Sequence, residues 1–216
     1  MTITEPMTML TDYAIAAETS LFAVLLVRVA HFHRHKCHWF WAATFSAVAL
    51  ASIAGGTYHG FTLYLEGTTK GILWQVTVYS ISLASFLMLS GTIIASVPSQ
   101  LQQWFLVGSG LKFLYVVGSL YFIDAAAIDK SFAYVVADYI SAMVVVLILQ
   151  AYAAYRCKSQ SAGWIIAGIL VSFVATGIQQ SGFMLAKNFN HNDIYHIIQM
   201  IAFYLFYRGA HLLKDW

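Results

Sequence analysis

Two segments of this 216-residue chain gather the residue types that bind metals and move protons. One is Asn190-His191-Asn192-Asp193-Ile194-Tyr195-His196, a polar run opening an apolar stretch that reaches Phe206; the other holds His59. Residues three and four apart on a helix share a face, so Asn192 and Asp193 project together with His196. His191 is five before His196, about 140° round an α-helix. The two meet one ion only if His191 precedes the regular helix, which Asn190 and Asn192 allow as N-cap residues. A catalytic zinc site takes three protein ligands, commonly His and carboxylate, plus a water. His59, His196 and either His191 or Asp193 satisfy that rule, and the water of such a site ionises near neutral pH and attacks a carbonyl. The same histidines also read as polar helix ends hydrogen-bonded at a membrane interface.

The elements that must position these groups are membrane spans. Hydrophobic residues make up 60% of the chain and charged residues 9%, so a soluble domain of this composition would present one continuous apolar surface. About 20 apolar helical residues cross the hydrocarbon core. Hydropathy predicts seven such runs, at 13–30, 39–61, 72–95, 101–123, 132–155, 163–186 and 194–213. The expected fold is therefore all-α, an integral membrane bundle of seven transmembrane helices. It forms one domain over 1–216, with 1–12 as a short N-terminal tail. Glu5 and Asp12 in that tail argue against a cleavable signal peptide. Trp39, Trp41, Trp74, Trp104 and Trp164 fall where indole rings anchor helices at interfaces. The expected partners are membrane lipid and a lipid-like substrate; the net charge of +2 gives no reason to expect nucleic acid.

Lys and Arg mark the cytoplasmic side. Arg28, Arg34, Lys36, Arg156, Lys158, Arg208 and Lys214 fall on one side, and Lys70, Lys130 and Lys187 on the other. The reading is N-terminus outside, C-terminus in the cytoplasm, which also makes free thiols of Cys37 and Cys157. On that topology the polar residues converge on the outer leaflet. Glu18 enters from helix one, His59 from helix two, Gln75 from helix three, Asp138 from helix five, Gln179 and Gln180 from helix six. Glu66, Asp124 and Asp129 lie in outer loops. Lys112, near the middle of helix four, needs a partner at that depth, and Asp138 or Glu18 could supply it. A second histidine group, His31-Phe32-His33-Arg34-His35-Lys36-Cys37-His38, alternates with cationic residues and reads as a basic turn facing headgroups.

Gly56-Thr57-Tyr58-His59-Gly60, and Asn192-Asp193-Ile194-Tyr195-His196 followed by the aromatic stretch to Tyr207-Arg208-Gly209, resemble two motifs of the CREST superfamily of membrane hydrolases. That superfamily includes alkaline ceramidases and the progestin and adipoQ receptors. The resemblance implies seven spans and a zinc ion held by a His late in helix two and an HxxxH pair early in helix seven. It carries His59 and His196 over as ligands. Asn192 stands at the first His of that pair, Gly55 stands where the family has a Ser, and no Asp opens helix three.

Three functions follow as expectations. The first is a zinc-dependent hydrolase of a lipid amide or ester. In it His59, His196 and His191 hold the metal and Asp193 or Glu18 serves as general base. Asn192, Gln75, Gln179, Gln180, Asp138 and Lys112 surround the substrate, which enters sideways from the bilayer. The second is a lipid or small-ligand binder or receptor without metal. The third is a proton-coupled transporter, for which the drier inner half offers no exit path and the two prolines no broken helix.

Overall fold

The computed structural model describes residues 2–123, 128–186 and 189–216. Asp124 and Lys187 fall outside them, as do the side chains of Asp129 and Cys157. The described residues form seven α-helices: α1 (Pro6–His33), α2 (Lys36–Phe61), α3 (Gly67–Ser96), α4 (Ser99–Tyr121), α5 (Ile128–Cys157), α6 (Gln160–Ser181) and α7 (His191–Leu212). Six of them, α1 to α6, are long and apolar enough to cross a membrane, which makes the chain a multi-pass membrane protein. The 22 residues of α7 reach roughly 33 Å, but its first turns are polar.

The N-terminal segment departs from expectation. Residues 6–12 are not a tail but the first two turns of α1, opened by Pro6 at a position where its missing N–H is no loss. Thr8, Thr11 and Asp12 are buried there, at the i, i+3, i+4 spacing of one helix face. Hydropathy missed these turns because their inward face is polar.

Each helix runs antiparallel to the next. The N-terminal turns of α1, α3, α5 and α7 and the C-terminal turns of α2, α4 and α6 thus share one end of the bundle, called here the polar end. Contacts close a ring in the order α1, α2, α3, α5, α6, α7 and back to α1. α4 lies outside the ring against α3 and α5, burying Ser109, Val116 and Leu120 while Trp104, Leu111, Leu114 and Tyr115 stay exposed. Lys112 ties it inward. Its ammonium meets the Asp138 carboxylate and donates to the Asp138 carbonyl at 3.0 Å and to Ser85 Oγ at 3.4 Å.

The two halves of the ring are filled differently. Toward the opposite, basic end, where Arg34, Lys36, Arg156, Lys158 and Lys214 lie, large side chains interlock: Trp41, Phe45, Phe206, Met88, Ile165 and Ile169 are buried, with Trp41 and Phe206 5.9 Å apart between ring centres. Trp41 and Trp74 are core residues, whereas Trp39 and Trp104 are exposed as interface anchors should be. α6 and α7 approach closely at Gly168, where a Cβ would lie 2.7 Å from Phe206 Cδ1. Gly108, Gly118 and Gly163 have nothing near enough to touch a Cβ. Toward the polar end, the small residues Ala51 and Gly55 of α2, with Ala133 and Ala137 of α5, leave the ring hollow.

Candidate functional site: a one-ended polar cavity

The hollow has a volume of about 840 Å³. Asp12 (α1), His59 (α2), Thr77 (α3), Gln179 and Gln180 (α6), and His191, Asn192 and His196 (α7) line its mouth and upper wall. Farther in, Val48, Ala84, Ile140 and Phe203 line it. From His191 to Phe203 the cavity follows α7 for about 18 Å at 1.5 Å per residue. It is thus richest in polar groups over its first turns and mostly apolar below, where Ser52 and Gln199 are the polar residues among the apolar ones named.

Two of these polar groups, His196 and His59, are met by α1 and by the residue before it, in the segment that hydropathy did not recognise as helical. The Nδ1 of His196 lies 2.8 Å from Thr11 Oγ1, and its Nε2 lies 3.5 Å from Asp12 Oδ1. The Nδ1 of His59 is 3.1 Å from Glu5 Oε2. That contact holds the Glu5 carboxyl below its ordinary range, over the opposing effect of burial. The chain before α1 is pinned to the same place, since the Thr4 N–H donates to the Gly60 carbonyl at 3.1 Å. Asp12 fits because α2 offers glycine beneath it: a Cβ on Gly56 would stand 2.9 Å from Asp12 Cβ. Gln179 Nε2 donates to Asn192 Oδ1 at 3.2 Å, joining α6 to α7 across the mouth. His191 lines the cavity with its Nδ1 buried and without a hydrogen-bond partner.

Several expected site residues sit elsewhere. Asp193 is fully buried and committed as a cap. Its Oδ1 accepts from Thr8 Oγ1 at 2.8 Å and its Oδ2 from the Asn190 N–H at 2.8 Å, while the Asn190 side chain accepts from the N–H groups of Asn192 and Asp193. This capping box closes the start of α7 and leaves neither oxygen free to act as a base. Glu18 lies on α1 but is not among the cavity-lining residues, and one of its carboxylate oxygens is buried without a hydrogen bond. Gln75 lines a separate small pocket beside Trp74. Lys112 and Asp138 pair with one another between α4 and α5, away from the cavity wall. The residues that sequence reasoning missed are Thr8, Thr11 and Asp12, with Glu5 before them. Their signal was Pro6 at a helix start and the three-four spacing that follows.

These positions test the zinc expectation. Of the two expected ligand sets, the one with Asp193 as third ligand does not fit, because Asp193 is spent on the cap, whereas His191 of the other lines the same cavity as His59 and His196. The cavity-lining donors that fit in chemical type are His59, His191, His196 and Asp12. Thr11 orients the His196 ring through Nδ1, as hydroxyls do around metal-binding histidines, and Glu5 stands beside His59 Nδ1 at ion-pair distance. Among the described residues no three His, Cys, Asp or Glu side chains stand close enough to hold an ion as they are.

No curated protein and no solved structure matches the chain. A family model described as a family of unknown function (DUF6962) matches residues 7–215, so the matched region takes in all seven helices apart from the first residue of α1. The chain belongs to that family of unknown function.

Proposed function

We propose that the protein binds a lipid-like amphiphile inside the membrane, with the polar head held at the mouth of the cavity and the chain along its inner wall. The observation that carries this reading is the division of one cavity into a polar mouth and a mostly apolar depth. Ligand sites are concave, mostly apolar and fixed by a few polar groups. Asp12, His59, His196 and Asn192 are those groups, and Val48, Ala84, Ile140 and Phe203 receive the chain. All seven helices span the bilayer, α7 included, with its polar turns turned into the ring rather than toward lipid. The polar end faces outward and the C-terminus inward, because Arg34, Lys36, Arg156, Lys158 and Lys214 collect at the opposite end. Extraction of lipids from protein purified in mild detergent tests the reading. Wild type carries one class of amphiphile in a near one-to-one ratio, and a variant with Asp12→Asn and His59→Gln carries much less. Equal amounts of the same lipids in both would overturn it.

The second reading is a zinc-dependent hydrolase of a lipid amide or ester. It is favoured by the gathering of Asp12, His59 and His196 at the end of the cavity where the head group would sit. His59, His196 and Asp12 would hold the ion, with Glu5 and Thr11 orienting the two rings. Bound there, zinc supplies Lewis acidity toward a carbonyl and a water acidic enough to ionise near neutral pH. Metal analysis separates the two readings: stoichiometric zinc that is lost in both His59→Ala and His196→Ala supports the hydrolase, and a metal content that neither substitution changes supports the binder.

A further inference from the structure

At the basic end, opposite the cavity, the turn between α1 and α2 brings three imidazoles together. Ring centres of His35 and His38 are 5.6 Å apart, those of His33 and His38 6.3 Å, and those of His33 and His35 6.4 Å. Arg34 makes the turn possible by adopting a left-handed backbone, φ 57°, at the end of α1. The ring of His38 is 1% exposed, and neither of its nitrogens has a hydrogen-bond partner. Buried polar atoms are nearly always satisfied, and an orphan in a folded protein calls for a water or an ion. His38 is such an orphan twice over, and it faces two further imidazoles.

We propose that His33, His35 and His38 form a binding site for a divalent transition-metal ion of the zinc class. Imidazole suits zinc and its neighbours in the first transition row. With bonds of about 2.0 Å, imidazoles on one tetrahedral zinc place their ring centres on the order of 5 Å apart. The three rings are about an ångström beyond that separation, which is why no metal-ready group of three exists among the described residues as they stand. His33 is exposed and His35 half-buried, so small rotations of these two bring them to the fixed His38. His35 Nδ1 accepts a long 3.4 Å contact from the Asp215 N–H, which a metal bound at that nitrogen would replace. Arg34 and Lys36, whose charges oppose a cation in the linear sequence, are both exposed. The Asp215 carboxylate on the Lys36 and Cys37 N–H groups lies within the same turn and offsets them.

The test uses full-length protein in detergent, freed of any histidine tag and titrated with zinc against a competing fluorescent chelator. The double variant His33→Ala/His35→Ala removes two ligands outside the packed core, and a thermal transition like that of wild type shows that it folds. The expected result is one fewer tightly bound zinc, with affinity at this site lowered at least about tenfold. A His59→Ala/His196→Ala variant keeps that equivalent, which separates this site from the cavity. Wild type that binds no zinc, a double variant that binds as much as wild type, or an equivalent lost only in the cavity variant would each overturn the assignment.

Discussion

Asp215 caps the helix that begins at Lys36: its carboxylate accepts the Lys36 N–H at 2.7 Å and the Cys37 N–H at 2.9 Å. The local N-cap position, His35, makes no side-chain cap bond, so the second residue from the C-terminus does that work for α2. The next residue holds the tail down, since the Trp216 N–H donates to the Ile94 carbonyl at 3.1 Å. Burial pushes the Asp215 carboxyl up, but the Cys37 and Lys36 N–H groups outweigh it and leave the group below its ordinary range. A depressed carboxyl stabilises the fold above its unfolded-state pKa and loses that contribution as pH falls through its native one. The Asp215→Ala variant is therefore less stable than wild type by about 1 kcal/mol at neutral pH, the usual loss for a missing cap. The two proteins converge in strongly acidic solution. Thermal unfolding in detergent at several pH values checks this; a gap that persists at acid pH would contradict it.

The Lys112–Asp138 pair behaves as the fastening of α4 rather than as part of the cavity. Removing one member leaves a charge without its partner inside the bundle, a loss of about 3–5 kcal/mol. Lys112→Met and Asp138→Leu are each strongly destabilising on that account. The double variant recovers most of the loss, because two apolar side chains replace a pair whose desolvation offsets much of its attraction. Unfolding of the two single variants and the double variant measures the coupling; additive losses would show that the pair does not act as a unit.

Hydropathy was enough to place α2 to α7 to within five residues at each end, because lipid-facing helices carry their signal in composition. It failed at α1, where the inward face of residues 6–12 is polar and the window average falls. The gathering of polar residues at one end was also legible, since alternating helix directions follow from short loops. What the sequence did not carry was the order of helices round the ring. That order brings Asp12 of α1 against His196 of α7, a contact no spacing rule reaches. Asp193 shows the other limit. Asn190 followed three residues later by Asp193 is a capping-box pattern as well as a ligand pattern, and only the positions of Thr8 and the Asn190 N–H decide between them.

Two glycines of α6 separate close approach from mere helix content. A Cβ on Gly168 would meet Phe206 at 2.7 Å and the Ala202 carbonyl at 3.2 Å, so Gly168→Ala forces α6 and α7 apart. Overpacking of that kind is destabilising by about 1–3 kcal/mol. Gly163 has nothing within 4 Å of a Cβ. Gly163→Ala is neutral or stabilising by up to about 1 kcal/mol, through helix propensity alone. Parallel thermal unfolding of the two variants is the check, and equal effects would mean that the α6–α7 contact is looser than described.

Asp12 and Asp193 are both buried carboxyls at the polar end, but they have different jobs and their variants should divide accordingly. Asp193 spends both oxygens on Thr8 and the Asn190 N–H, so Asp193→Ala leaves two donors unsatisfied and uncaps α7. A loss of about 1–3 kcal/mol in stability is expected, with bound amphiphile per folded molecule unchanged. Asp12 stands 3.5 Å from His196 Nε2 and lines the cavity. Asp12→Asn keeps its shape, so stability changes little. A charge-assisted bond to a head group is worth about 1.5–3 kcal/mol, so retention of the amphiphile should fall by about tenfold or more. Lipid quantification alongside thermal unfolding reads both effects in one preparation. If Asp193→Ala empties the cavity while the fold holds, or if Asp12→Asn retains its lipid, the head group is held by a different set of residues and the assignment of the cavity mouth fails.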